Sequence, residues 1–175
     1  MSEAIDELRQ EHGDIFAAIR VLEQIDRRIE RGDAVPSADM KELVLFFKEF
    51  ADLCHHGKEE GILFSRLEAA GAAEGAAELE AEHKQGRQFI NGLEAAAAAS
   101  DAAAFATAGR QYAALMRKHI EKETLGIFAA ADKTFSAAEL DQLAAEFKIY
   151  EREVIGENRH TQLEQSLTEL KDKYR

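Results

Sequence analysis

Two stretches of the chain repeat each other around a histidine. His55-His-Gly-Lys-Glu59-Glu-Gly-Ile-Leu-Phe64 aligns with His119-Ile-Glu-Lys-Glu123-Thr-Leu-Gly-Ile-Phe128, so that His, Lys, Glu and Phe recur 64 residues apart. Glu11-His12 aligns with Glu82-His83 at an offset of 71, with Ile19 over Ile90, Leu22 over Leu93 and Glu23 over Glu94. Residues i and i+4 of a helix share one face, with Cβ atoms about 5–6 Å apart. An imidazole and a carboxylate at that spacing can converge on one ion. Imidazole suits Fe, Zn, Cu and Ni, and carboxylates tolerate hard metals. His12, His55, His83 and His119 with Glu59 and Glu123 therefore form a dinuclear ligand set. Each metal takes one His from each helix of a pair, and the two Glu bridge. A single i,i+4 His–Glu pair is more commonly a surface ion pair; the duplicated register is what argues for a site. His56/Glu60 has the same spacing as His55/Glu59, but only the latter superposes on His119/Glu123, which leaves His56 and Glu60 as neighbours of the site or solvent-facing residues.

The elements that must carry these residues are helices. One Pro, no Trp and abundant Ala, Glu, Leu and Lys make a helix-forming composition. Apolar residues at three- and four-residue steps mark segments near 3–31, 38–70, 73–98 and 101–132, with Ser37 as an N-cap for the second and Gly71 as its end. Ser136-Ala-Ala-Glu139 reads as a capping box opening a fifth segment. Short connections between long neighbours predict an all-α fold: an up-down-up-down four-helix bundle over residues 1–135, built as a duplicated helical hairpin. Residues 136–175 add a C-terminal helical extension. One unbroken helix there would span about 57 Å, so the extension breaks near Gly156-Glu-Asn158, pairs with a second chain as a homodimer, or does both.

The 175 residues and 19.4 kDa fit one domain. A formal charge of −12 argues against nucleic acid or an anionic membrane as partner. No apolar run is long enough to span a membrane, Met1–Gln10 has no secretory pattern, and one Cys makes no intrachain disulfide, so a cytoplasmic protein is expected.

At Glu11-His12, Cys54–Glu60, Glu82-His83 and His119–Glu123 the chain resembles the hemerythrin-like HHE cation-binding family, over about residues 5–132. The resemblance implies a helical bundle around a non-haem di-iron centre, with His12, His55, Glu59, His83, His119 and Glu123 as ligands. Zn or Mn also fit these donors. Oxygen-carrying hemerythrins have a further His where this chain has Arg87, and end in His-x₄-Asp rather than His-x₃-Glu. Six ligands leave about four of the positions of two octahedral metals open. That openness favours binding of, or reaction with, O₂, peroxide or NO over reversible carriage. A metal- or gas-sensing module without turnover is the alternative. So is an iron-centre repair or stress protein, whose relatives carry a Cys-bearing extension where eleven residues precede His12 here.

Other residues invite a role. Tyr112 lies two turns before His119, as a core aromatic or a hydrogen-bond donor to a bound species. Cys54 points away from the His55 face and reads as a buried, unreactive thiol. Gly57 and Gly61 each cost about 1 kcal/mol in a helix, which close packing by the fifth segment would explain. His160 has no copy in the repeat and reads as a surface residue.

Overall fold

The computed structural model describes residues 3–175, and within them the chain is helical, with no strand. Helix α1 (Glu3–Glu30) ends at Gly32, and α2 occupies 37–69. Pro36 precedes α2; Ser37 lies inside its first turn and donates its hydroxyl to the Ala97 carbonyl instead of capping. Helices α3 (Ala76–Ala99) and α4 (Ala102–Leu125) follow, the latter capped by the Asp101 carboxylate on the Ala104 amide. The fourth predicted segment does not run unbroken: Gly126 (φ −100°, ψ −88°) separates α4 from α5 (Ile127–Thr134). The Ser136/Glu139 capping box forms as expected and opens α6 (Ala137–Val154).

The expected break in the C-terminal extension falls at residues 155–158. Gly156 and Asn158 both take positive φ, +96° and +67°, which these two residue types accept at least cost. The chain turns back there, and α7 (Arg159–Lys173) packs beside α1 and α2 through Leu163, Leu167 and Leu170. Lys173 and Tyr174 bind Asp39, and the Arg28 guanidinium lies over the Tyr174 ring. Helix α6 crosses α1 and the middle of α2. None of the helices among the described residues is long and apolar enough to cross a membrane.

The middle of α2 is π-helical, over Phe47–His56 and Glu59–Leu63, with amide bonds such as Gly57 N–H to Asp52 O. A π turn holds more residues than an α turn and is common at functional sites. At Gly57 the Tyr150 ring of α6 lies so close that a Cβ would sit 2.0 Å from Tyr150 Oη, and this hydroxyl donates to the Leu53 carbonyl at 3.1 Å. The close packing expected of the extension is thus real at Gly57. At Gly61 the same ring is only at ordinary contact distance.

Apolar side chains form two clusters. One gathers Ile15, Ile19, Phe47, Phe50, Ile90, Tyr112 and Met116; the other gathers Leu8, Leu63, Phe64, Leu79, Ile127 and Phe128. Helices α1, α2 and α3 contribute to both clusters, and their histidines lie in the stretch between the two, a polar layer.

Candidate metal centre

All six residues singled out by the repeat meet in that layer, and His56 joins them. None of the seven is more than 3 % exposed. Their donor atoms form two groups, each within 4.8 Å: His12, His55, Glu59 and Glu123 at one end, and His56, Glu59, His83 and His119 at the other. Both carboxylates reach both ends. Glu123 Oε2 lies 3.1 Å from His12 Nε2 while Oε1 lies 2.9 Å from His119 Nε2. Glu59 Oε1 lies 3.3 Å from His55 Nε2 while Oε2 lies 3.5 Å from His83 Nε2. His83 and His119 face each other through their Nε2 atoms at 2.9 Å.

These groups satisfy one another only in part. Both oxygens of Glu59, Oε1 of Glu123, and Nε2 of His55 and His56 are buried without a hydrogen-bond partner among the described residues. Burying unpaired carboxylate oxygens costs several kcal/mol. A cation in each group would satisfy all of them, so the donor set fits a metal pair.

The opposite edges of the rings are anchored by carboxylates. His55 Nδ1 lies 2.8 Å from Glu11, which also accepts from Lys58 at 2.5 Å. His119 Nδ1 lies 2.9 Å from Glu82, which accepts from Lys122 at 2.5 Å. These two triads obey the same repeat as the ligands. His83 Nδ1 lies 2.7 Å from Glu60 and His56 Nδ1 lies 3.4 Å from Asp52; Arg87 binds both carboxylates. A carboxylate on Nδ1 holds the proton there and leaves Nε2 as a lone pair aimed at the layer. The exception is His12, whose Nδ1 is buried without a partner among the described residues.

The electrostatics follow from this packing. Burial opposes charge on His55, but Glu59 and Glu11 outweigh it and push the imidazole up to about 10. Burial likewise opposes charge on His83, yet Glu123 and Glu60 raise it to about 9. His12 is lowered by burial, and His56 falls well below its ordinary value through burial and the charge on His83 and His55. Glu11, disfavoured by burial, is still held down at about 2 by His55 and Lys58.

On the sequence His56 is a neighbour of the site or a solvent-facing residue, since its counterpart in the repeat is Ile120, and the structure places it at the site. It is neither solvent-facing nor idle: it is 2 % exposed and stacks on His83 at 3.9 Å. The visible signal is the pair Gly57 and Gly61, which the second copy lacks and which accompanies the π-helical turn. Glu60 is a neighbour of the site: it is part-buried and anchors His83. His160 is only 21 % exposed at its side chain, stacked on Phe50 and facing Glu11 and Glu151. Lys58 is fully buried in that corner, bound by Glu7 and Glu11 with Glu151 at 3.9 Å. Cys54 is buried and free, and burial raises its thiol pKa. Tyr112 is fully buried, edge-on to Phe47 at 4.7 Å, with no hydrogen-bond partner for its hydroxyl among the described residues.

Among curated proteins the chain is similar to uncharacterized proteins of Mycobacterium bovis and of two strains of Mycobacterium tuberculosis. Each is 29 % identical over 161 residues, which cover 88 % of this chain and 63 % of the relative. The chain thus spans less than two thirds of the length of these relatives. No solved structure matches it. The model of the hemerythrin HHE cation binding domain matches residues 3–131, which include all seven residues of the polar layer. With the match covering most of its length, the chain belongs to the hemerythrin HHE cation-binding domain family.

Proposed function

We propose that this chain holds a dinuclear non-haem iron centre that binds or reacts with a small oxidant, O₂, peroxide or NO. The observation that carries this reading is the pair of buried carboxylates, Glu59 and Glu123, each directed at both histidine groups with oxygens left unsatisfied. In this reading His12 and His55 hold one ion, His56, His83 and His119 hold the other, and the two Glu bridge. On the same reading the helices up to residue 135 make an up-down-up-down bundle, with 136–175 docked against α1 and α2.

Bound iron would supply electrons and open coordination positions. The chain supplies the rest. It offers two imidazoles at the His12/His55 end and three at the other, which would leave more room for a small ligand at the His12/His55 end. Phe128 stacks on His12 at 5.0 Å and Phe64 lies over His83, so the layer is walled by aromatic rings that exclude water. Glu11, Glu82 and Glu60 hold protons on Nδ1 and keep the Nε2 lone pairs inward. Zn and Mn share these donor preferences and are separated from Fe by metal analysis.

A sensing role without turnover is the second reading. It is favoured by the contact between the His55 anchor Glu11 and the C-terminal helices, through Lys58, Glu151 and His160. Peroxide and NO titrations of the iron-loaded protein test both. Repeated consumption of peroxide supports an oxidoreductase, and a stoichiometric end point supports a sensor. No spectral response to peroxide, NO or, on exposure of the Fe(II)-loaded protein to air, O₂ would refute the proposal.

A further inference from the structure

Arg87 makes the two ends of the layer unequal. Its Nε donates to Asp52 Oδ1 at 2.8 Å and an Nη to Glu60 Oε1 at 2.7 Å. Those same two oxygens face His56 Nδ1 at 3.4 Å and His83 Nδ1 at 2.7 Å. One planar guanidinium therefore ties down the outer edges of two stacked imidazoles. A rigid fork can address two carboxylates at once, which a single ammonium does less well.

The other copy of the repeat has nothing equivalent. Where the first end has His56, Asp52, Glu60 and Arg87, the corresponding positions hold Ile120, Met116, Thr124 and Phe16. The consequence is visible at His12, the counterpart of His83, whose Nδ1 is buried without a partner among the described residues. The clamp is not needed to hold the bundle together: Arg87, Asp52 and Glu60 side chains are 34 %, 23 % and 29 % exposed, and ion pairs this accessible add little stability. Arg87 and Asp52 line a shallow surface depression with Lys48, Glu49, Leu53, Ile90 and Asn91.

We infer that Arg87 is a positioning residue that makes the His56/His83/His119 end the tighter of two metal positions. It does so by fixing His56 and His83 through Asp52 and Glu60. The inference rests on the metal-centre reading above. Loss of an outer partner of a ligating histidine costs about 10–100-fold in metal affinity; removing Arg87 leaves Asp52 and Glu60 beside His56 and His83 but unties both carboxylates, so the loss lies at or below the low end of that range.

The test is a Co(II) titration of the metal-free chain, read by visible absorption, for wild type, Arg87→Ala, Arg87→Lys and Arg117→Ala. Arg117 is an exposed arginine paired with Glu23 and serves as control. Wild type takes up two ions in two steps. In Arg87→Ala the tighter step weakens by up to about 10-fold and its absorption band shifts, while the weaker step and the metal-free melting temperature stay put. Arg87→Lys gives a smaller loss of the same step, and Arg117→Ala gives none. The loss persists in a His12→Ala background and disappears in His119→Ala. Unchanged titrations in Arg87→Ala, or equal weakening of both steps, would overturn the inference. So would a collapse of the metal-free melt that Arg87→Lys restores in full. Failure of wild type to bind Co(II) at all would instead refute the metal-centre reading.

Discussion

Replacing Gly57 by Ala tests how the C-terminal extension is seated on the helix that carries His55, His56 and Glu59. An added Cβ would lie 2.0 Å from Tyr150 Oη, 2.8 Å from Cζ and 3.1 Å from Cε1. No rotation of a methyl group relieves that overlap, so the Tyr150 ring must leave. Its departure loses the hydrogen bond to the Leu53 carbonyl, about 1 kcal/mol, and the burial of a half-exposed ring, about 1–2 kcal/mol. Ala at a helical position returns about 1 kcal/mol. The net expectation is a loss of about 1–2 kcal/mol, or about 2–8 °C in melting temperature for a chain of this length. The sign should reverse once the ring is gone. In a Tyr150→Ala background, Gly57→Ala is expected to stabilise by up to about 1 kcal/mol, a coupling between the two sites of about 2 kcal/mol. Tyr150→Phe should not relieve the clash, because Cζ remains. Thermal melts of the metal-free proteins by circular dichroism provide the four corners of the cycle. A Gly57→Ala that is neutral or stabilising with Tyr150 present would refute the reasoning.

Lys58→Met removes the cation bound to Glu7 and Glu11 inside the fold. Breaking a buried pair leaves Glu11 uncompensated and should cost about 3–5 kcal/mol, measurable by urea unfolding; a loss under about 1 kcal/mol would show that Glu11 does not depend on Lys58. In the metal-free protein His55 and His83 stand at about 10 and about 9, above their ordinary 6.5, so the stability they confer is complete below pH 6.5 and is lost as pH rises through 9–10. Metal binding needs both rings deprotonated, so affinity should rise over that same window. Melts across this range should slope downward without metal and flatten or rise with it; parallel curves would contradict the assignment. Tyr112→Phe deletes a buried hydroxyl that has no partner among the described residues and should stabilise the metal-free protein by about 1–2 kcal/mol, whereas a fall in melting temperature would reveal a partner for that hydroxyl.

The histidines were legible because they are copied. A ligand and its anchor recur together: Glu11 with Lys58 and Glu82 with Lys122 follow the same offsets as His55 and His119, so the geometry of one half implies the other. Whatever departs from the copy was hidden by the same logic. His56, Asp52, Glu60 and Arg87 have Ile, Met, Thr and Phe at their counterparts, and aligning the repeats discards them as noise. The π-helical turn that turns His56 inward leaves little trace beyond two glycines, because i→i+5 bonding makes no demand on side-chain type. Gly126 shows the limit in another way: its counterpart is Ile62, inside an unbroken helix, so the repeat suggested continuity where the backbone breaks. In the extension, Gly156-Glu-Asn158 marked where a break could fall but not whether the chain would break there or pair with a second copy; the positive φ of Gly156 and Asn158 makes the turn. The stripe of Leu163, Leu167 and Leu170 announced an apolar face but not what it covers, and the partner turns out to be α1 and α2 of the same chain.

The central claim is that Glu59 and Glu123 bridge two ions held by five histidines. Metal analysis of the chain after anaerobic loading with Fe(II) tests it most directly, alongside His119→Ala and His56→Ala. The account predicts about two irons per chain in wild type, about one in each variant because both weaken the same end, and unchanged helicity throughout. One ion or none in wild type, or two retained in His119→Ala, would contradict it.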